Sequence, residues 1–227
     1  MSHHNSDEYI PALRYSWLTN LYDSVMRWTM REDTFKRKLV DQAQIKPGDR
    51  VLDLGCGTAT LTLLIKQRHP QTEVFGLDGD QHVLDLAWVK AAEHQLSITL
   101  DQGLASALPY PDDSFNLVLS SLLFHHLTRE NKERALSEAF RVLRPGGELH
   151  IADWGKAHSG VMRMAFLLVQ LLDGFETTTD NVNGLLPSLI KGGGFSQVRQ
   201  TIHYSTVFGT LSLYKAQKAT NGRLNML

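Results

Sequence analysis

Residues 50–62 read Arg-Val-Leu-Asp-Leu-Gly-Cys-Gly-Thr-Ala-Thr-Leu-Thr, and the order of residue types in this stretch decides the fold. Val51, Leu52 and Leu54 make a short apolar run, the mark of a strand buried on both faces. Gly55 and Gly57 follow at once, and Leu61, Leu64 and Ile65 begin a helical pattern behind them. A strand, a glycine turn and a helix bring a ligand against the main chain at the carboxyl end of a parallel strand. Lacking a Cβ, Gly55 and Gly57 let the chain turn tightly and a bulky ligand approach it. Asp53, on the strand just before the turn, is expected to put a carboxylate under that ligand. The dinucleotide fingerprint Gly-x-Gly-x-x-Gly/Ala needs Gly or Ala at position 60, where Thr60 stands.

The 227 residues suffice for one sizeable α/β domain and are too few for two of ordinary size. Hydrophobic residues make up 42% and charged residues 21%, an ordinary globular composition. With 23 basic against 24 acidic residues, no basic surface calls for a polyanionic partner, so nucleic acid is not expected. The single cysteine, Cys56, cannot form an internal disulfide, which fits a reducing, cytoplasmic compartment. The first residues are polar and acidic, unlike a signal peptide. The longest apolar stretch, Val161 to Leu172, is interrupted by Arg163 and Gln170 and is too short to span a bilayer.

Outward from the glycine turn, the pattern continues on both sides. Leu18, Leu21, Tyr22, Val25 and Met26 recur at helical spacing, either as an amphipathic helix covering the core or as a lid over a pocket. A second helix is expected from about Asp33 to Gln44, stopped by Lys46-Pro47-Gly48-Asp49. Glu73 to Leu77 forms the second strand, ending in Asp78-Gly79-Asp80. An acid at the tip of this strand can reach a ribose hydroxyl pair; Asp78 is the candidate, while Asp80 or Asp78 can instead cap the helix Gln81 to Glu93. Further strands are expected at Ser97–Leu100 and Asn116–Ser120, and a helix at Arg129–Leu143 leads into a glycine turn and a fifth strand. Residues 156–194 hold an apolar helix near Gly160 to Phe175, a polar stretch Glu176 to Asn183 and a short helix from Pro187. Phe195–His203 and Thr206–Ala216 alternate as two final strands with a turn near Tyr204-Ser205.

Asp-Leu-Gly-Cys-Gly-Thr (53–58), Asp78, Leu108-Pro109-Tyr110-Pro111 and Arg141-Val-Leu-Arg-Pro-Gly-Gly-Glu-Leu149 stand in the order and at the spacings of the class I S-adenosylmethionine (SAM)-dependent methyltransferases, a family the chain resembles from about residue 45 to 155. Within it, the resemblance is closest to the branch of ubiquinone/menaquinone-biosynthesis C-methyltransferases and phospholipid N-methyltransferases. It implies an α/β, Rossmann-like, seven-stranded and mostly parallel sheet with helices on both faces and an antiparallel C-terminal strand. It also implies one domain: an N-terminal helical lid (1–44), a SAM-binding core (45–155), an acceptor-site insertion (156–194) and C-terminal strands (195–227). Ala59 stands where the family often has a third glycine, a mild change, and Leu104 stands where an aspartate often meets the adenine amino group. Adenine recognition is then left to backbone and apolar contacts. No Asn/Asp-Pro-Pro-Tyr/Phe motif follows the fourth strand, which argues against methylation of nucleic-acid bases.

The resemblance implies SAM as cofactor, held by Asp53, Gly55, Cys56, Gly57, Thr58, Asp78, Gly79, Leu104, Ala105 and Ser120. Cys56 reads as a small filler and not as a nucleophile. Methyl transfer is an in-line displacement, so the protein mainly has to place the acceptor and exclude water. A general base is needed only where the acceptor must lose a proton. His125 and Asp153, after the fourth and fifth strands, are the candidates for that role, and Trp17, Tyr22, His126 and Trp154 for lining the acceptor pocket. Adjacent His125 and His126 are not expected to point into the pocket together. Packing and capping roles remain open for all of these. No metal site is expected. The acceptor is a small or lipid-like molecule, its reacting atom open; a SAM-binding protein without transfer activity is the alternative.

Overall fold

A computed structural model of the chain describes residues 32–156, 175–206 and 209–220. Helix α1 (Glu32–Ala43) buries Phe35, Leu39, Val40 and Ala43, one face at helical spacing, and meets the expected second helix within a residue at each end. Strand β1 (Arg50–Leu54) runs into the glycine turn and helix α2 (Thr60–Arg68). Strand β2 (Glu73–Asp78), helix α3 (Gln81–Glu93) and strand β3 (Thr99–Gln102) follow. Strand β4 (Phe115–Ser121) leads through a 3₁₀ turn at Phe124–His126 to helix α4 (Arg129–Val142) and strand β5 (Leu143–Trp154). Helices α5 (Phe175–Val182) and α6 (Leu186–Gly192) precede strands β6 (Ser196–Thr206) and β7 (Gly209–Gln217).

The seven strands form one sheet in the order β3-β2-β1-β4-β5-β7-β6. Neighbours from β3 to β5 pair in parallel, while β7 runs antiparallel to both β5 and β6. Only β7 therefore opposes the general direction, as expected for the C-terminal strand. One face of the sheet packs against α1, α2 and α3 through Phe35, Leu39, Leu61, Ile65, Leu84 and Ala87. The other packs against α4 and α6 through Ala135, Leu136, Ala139, Leu189 and Ile190. The connections leave β1 toward β2 on one side and reach β4 on the other, so a crevice opens at the carboxyl ends of β1 and β4.

Four details depart from the sequence reading. The third strand begins two residues later than expected, at Thr99, and runs to Gln102. The turn at Arg144-Pro145-Gly146-Gly147 bulges within β5, because Phe115 and Leu117, two residues apart on β4, pair with Leu143 and Glu148. The stretch Glu176–Asn183 falls largely within helix α5, whose buried residues are Thr177, Thr178, Asp180 and Asn181 beside a single apolar one, Val182, among those described. Strand β6 extends to Thr206, past the expected turn at Tyr204-Ser205.

Leu108-Pro109-Tyr110-Pro111 and the helix end at Arg141 hold each other. Arg141 donates to the carbonyls of Leu108 and Tyr110 and to Asp112 and Glu138, while Glu138 accepts from the Leu108 N–H at 2.7 Å. The loop between β3 and β4 is thus pinned to the end of α4 by one guanidinium and one carboxylate.

Candidate functional site

The glycine loop turns through left-handed backbone at Gly55 (φ 73°), Gly57 (φ 52°) and Ala59 (φ 60°). A Cβ on Gly55 would lie 2.8 Å from Leu123 Cδ1, so the first glycine makes room for the segment behind β4. A Cβ on Gly57 would meet nothing within 4 Å, so the second glycine presents bare main chain to open space. Ala59 is more than the mild change expected: it begins α2 in a conformation that disfavours a Cβ by about 1–2 kcal/mol.

Three acidic groups flank this loop and divide the work. Asp80 caps α3 by accepting from the His82 N–H at 2.8 Å. Asp78 accepts from the Gly57 N–H at 2.8 Å and the Asp80 N–H at 3.1 Å. Its carboxylate still has lone pairs to offer, and burial raises its pKa. Asp53 is fully enclosed; one oxygen accepts from the Thr62 hydroxyl at 2.7 Å, and the other, Oδ1, has no partner among the described residues. Burial pushes Asp53 up to about 6, despite the opposing Thr62 hydrogen bond and Lys36, with Asp78 adding to the rise. Two desolvated carboxylates within electrostatic reach make the ground around the loop negative. That suits a cation and opposes a pyrophosphate.

The remaining cofactor candidates separate into those near the loop and those spent elsewhere. Thr58 receives Lys90 Nζ on its hydroxyl at 2.6 Å, which ties the loop to α3. Cys56 is buried against Gly76, and burial first, then Asp53 and Asp78, raises its thiol far above the usual range, so it stays protonated. The Gly103 N–H donates to the Asp78 carbonyl, which brings Leu104 and Ala105, both partly exposed, beside Gly79 at the ends of β2 and β3. Ser120 departs from expectation: it is fully buried and its hydroxyl donates to the Leu54 carbonyl at 2.8 Å, fastening β4 to β1. Its side chain is not available to a ligand.

Beyond β4 the chain passes through Leu122 in left-handed backbone (φ 59°) and enters the 3₁₀ turn. There the rings of His125 and His126 lie 3.9 Å apart, tilted by 42° to each other. Nδ1 of buried His125 is 2.8 Å from Asp153 Oδ1. A carboxylate only accepts, so Nδ1 carries the proton and, in the neutral ring, Nε2 carries the lone pair. Burial, then His125, lowers His126 well below the ordinary histidine range.

Asp153 is not the exposed acceptor-facing carboxylate expected. It has no accessible surface, and it receives Phe124 N–H (2.7 Å), His125 Nδ1, Trp154 N–H (2.7 Å) and Asn181 Nδ2 (3.1 Å). Enclosed and held by four protein donors, it can hold His125 but cannot meet a substrate. Trp154 is also buried, and its ring packs edge-on to His125 at 6.4 Å instead of walling an open pocket. Trp17, Tyr22, residues 1–31 of the expected lid and the apolar stretch Val161–Leu172 lie outside the described residues, while the rest of the expected lid includes α1, which packs into the core. Asn181 escaped the sequence reading because its neighbours are polar; the sign it left was the run Thr177, Thr178, Asp180 and Asn181 on a single buried helix side. Among the described residues no group of three His, Cys, Asp or Glu side chains could hold a metal ion, and no helix is long and apolar enough to cross a membrane.

The family model for a methyltransferase domain matches residues 51–147. A demethylmenaquinone methyltransferase of Thermus thermophilus is 30% identical over 213 residues, covering 93% of this chain and 88% of that protein. A ubiquinone/menaquinone biosynthesis C-methyltransferase, UbiE, of Xanthomonas campestris is 38% identical over 133 residues, covering 54% of this chain and 51% of that protein. The chain spans about half the length of several other curated relatives it matches. Among solved structures, a SAM-dependent methyltransferase of Methanosarcina mazei superposes with a TM-score of 0.65 at 19% identity, covering 80% of this chain and 98% of that one, a likeness of fold. With near-complete coverage of the Thermus relative and the motifs in place on the expected fold, the chain belongs to the class I SAM-dependent methyltransferases, in their ubiquinone/menaquinone-biosynthesis branch.

Proposed function

We propose that the chain binds SAM over the Gly55–Thr58 loop and transfers its methyl group to a lipid-like hydroquinone. The observation that carries the cofactor part is the pair Asp53 and Asp78 beside the bare main chain of Gly57. SAM brings an ammonium and a sulfonium, and it supplies an electrophilic methyl when bound. Asp78, with lone pairs left after holding Gly57 and Asp80, suits the ribose hydroxyls. Asp53 supplies negative potential from below the loop. Gly103, Leu104 and Ala105 offer main chain and apolar surface beside the strand ends, where the adenine is expected.

The acceptor class rests on the activities for which the relatives are named, demethylmenaquinone and ubiquinone/menaquinone-biosynthesis methylation. A hydroquinone carbon becomes nucleophilic as its neighbouring hydroxyl loses a proton. We assign that proton to Nε2 of His125, whose tautomer Asp153 fixes through Nδ1. Asp153 is then a positioning residue and His125 the base. The ring hydrogen displaced from the methylated carbon leaves as a proton, which restores aromaticity. Family membership favours this enzyme over a SAM-binding protein without turnover.

The test uses purified protein, methyl-labelled SAM and reduced demethylmenaquinone in detergent micelles. Wild type should label the quinone. Asp78→Ala should raise the Kd for SAM at least about tenfold, ~1.4 kcal/mol, and His125→Gln should lower kcat about a hundredfold or more with the Kd for SAM unchanged. SAM binding without transfer to the quinone would overturn the acceptor assignment; unchanged SAM affinity in folded Asp78→Ala would overturn the ribose site.

A further inference from the structure

Asn181 of helix α5 reaches the His125–Asp153 pair. Asn181 has no accessible surface, and its amide nitrogen forks between Asp153 Oδ1 at 3.1 Å and the Trp154 carbonyl at 3.2 Å. Its own Oδ1 is buried and has no hydrogen-bond partner among the described residues. A buried, half-satisfied amide is expensive to keep where a leucine would fill the same volume. What the amide does that leucine cannot is donate to Asp153 without bringing a charge.

We infer that Asn181 is a positioning residue for the methyl-transfer reaction: its amide holds Asp153 Oδ1 turned to His125 as an acceptor and so fixes the proton of His125 on Nδ1. Asp153 Oδ1 takes three donors, His125 Nδ1, the Trp154 N–H and Asn181 Nδ2. The first two come from the segments that carry the pair itself. The third comes from α5, at the end of the segment expected to build the acceptor pocket, so this hydrogen bond couples the position of α5 to the state of His125. Ion pairing anchors the same helix to α4, where Asp180 meets Arg129 and lies 3.5 Å from buried Lys132 Nζ. This inference rests on His125 being the base.

Asn181→Asp and Asn181→Leu test it. The first puts a second carboxylate beside Asp153 at nearly constant volume; the second removes the donor. The titratable groups acting on the pair are His126 on the 3₁₀ turn, Lys132 on α4 and Tyr214 on β7, with Arg129 and Asp180 gathered around Lys132, and all are unchanged in both variants. With reduced demethylmenaquinone as acceptor, the pH profile of kcat in Asn181→Asp should differ from that of wild type, because two carboxyls this close cannot both ionise and the pair takes up a proton that Asp153 alone does not. In Asn181→Leu, kcat should fall about tenfold or more with the KM for SAM unchanged. Ring-nitrogen NMR of histidine-labelled protein, with His125→Gln identifying the signal, should show the Nδ1–H tautomer in wild type and its loss or exchange broadening in Asn181→Leu. A wild-type tautomer together with a wild-type pH profile in both folded variants overturns the inference. Retained activity in His125→Gln would instead overturn the base assignment, whatever the tautomer shows.

Discussion

Asp53→Asn should make the ligand-free protein more stable and a poorer SAM binder. The carboxylate is fully enclosed, and burial lifts it from its ordinary 3.8 to about 6. At ~1.4 kcal/mol for each tenfold change in proton affinity, ionised Asp53 destabilises the fold by about 3 kcal/mol at pH 8. The sign follows from the direction: a group raised in the fold favours folding below its unfolded pKa, and loses that contribution as the pH climbs through the folded value. Asparagine keeps the shape and can still accept from the Thr62 hydroxyl, so the hydrogen bond at 2.7 Å survives. Its NH₂ replaces an oxygen without a partner among the described residues and remains unsatisfied, which takes back roughly 1 kcal/mol. Urea unfolding followed by tryptophan fluorescence should show the variant about 2 kcal/mol more stable at pH 8, and no more stable than wild type near pH 4. Calorimetry at pH 8 should show weaker SAM binding. A variant no more stable at pH 8, or equally favoured at both pH values, would refute the reasoning.

The two glycines of the loop should separate stability from binding. Gly55→Ala forces a Cβ against Leu123 in left-handed backbone and should destabilise by about 2–4 kcal/mol by thermal unfolding; Gly57→Ala meets no atom, should lose only about 1 kcal/mol, and should weaken SAM about tenfold. Buried His150 accepts from Gln42 at Nδ1 and donates from Nε2 to Glu148, and burial lowers its pKa. Below its ordinary value of 6.5 the unfolded chain takes a proton that the fold refuses, so stability falls as the pH drops through that point. His150→Gln should remove this part of the slope between pH 7 and 5.5 in urea titrations, and an unchanged slope would sink the assignment.

The sheet and its helices were legible because each leaves a periodic trace: the two-sided burial of Val51 to Leu54, the α1 face at Phe35, Leu39 and Ala43, the breaks at glycine and proline. That one of Asp78 and Asp80 caps α3 was legible as well, while the fold decides that it is Asp80. Three things were not. Ser120 and Asp153 stand at strand ends where ligand contacts are usual, yet the β4–β1 seam and four converging donors take them up. Nothing local encodes such convergence, because Phe124, Trp154 and Asn181 come together only in the fold. Helix α5 hides its buried side behind polar residues, which hydrophobic periodicity cannot detect. The strain at Ala59 and Leu122 reflects tertiary demands that override residue preference.

The central claim is methyl transfer from SAM to a lipid-like acceptor, and one measurement addresses it directly. Purified protein is incubated with methyl-labelled SAM and a cell extract kept under reducing conditions, which is then partitioned between organic and aqueous phases. The account predicts label in the organic phase, lost with His125→Gln. Label confined to the aqueous phase, or none in either while SAM binding is intact, would contradict it.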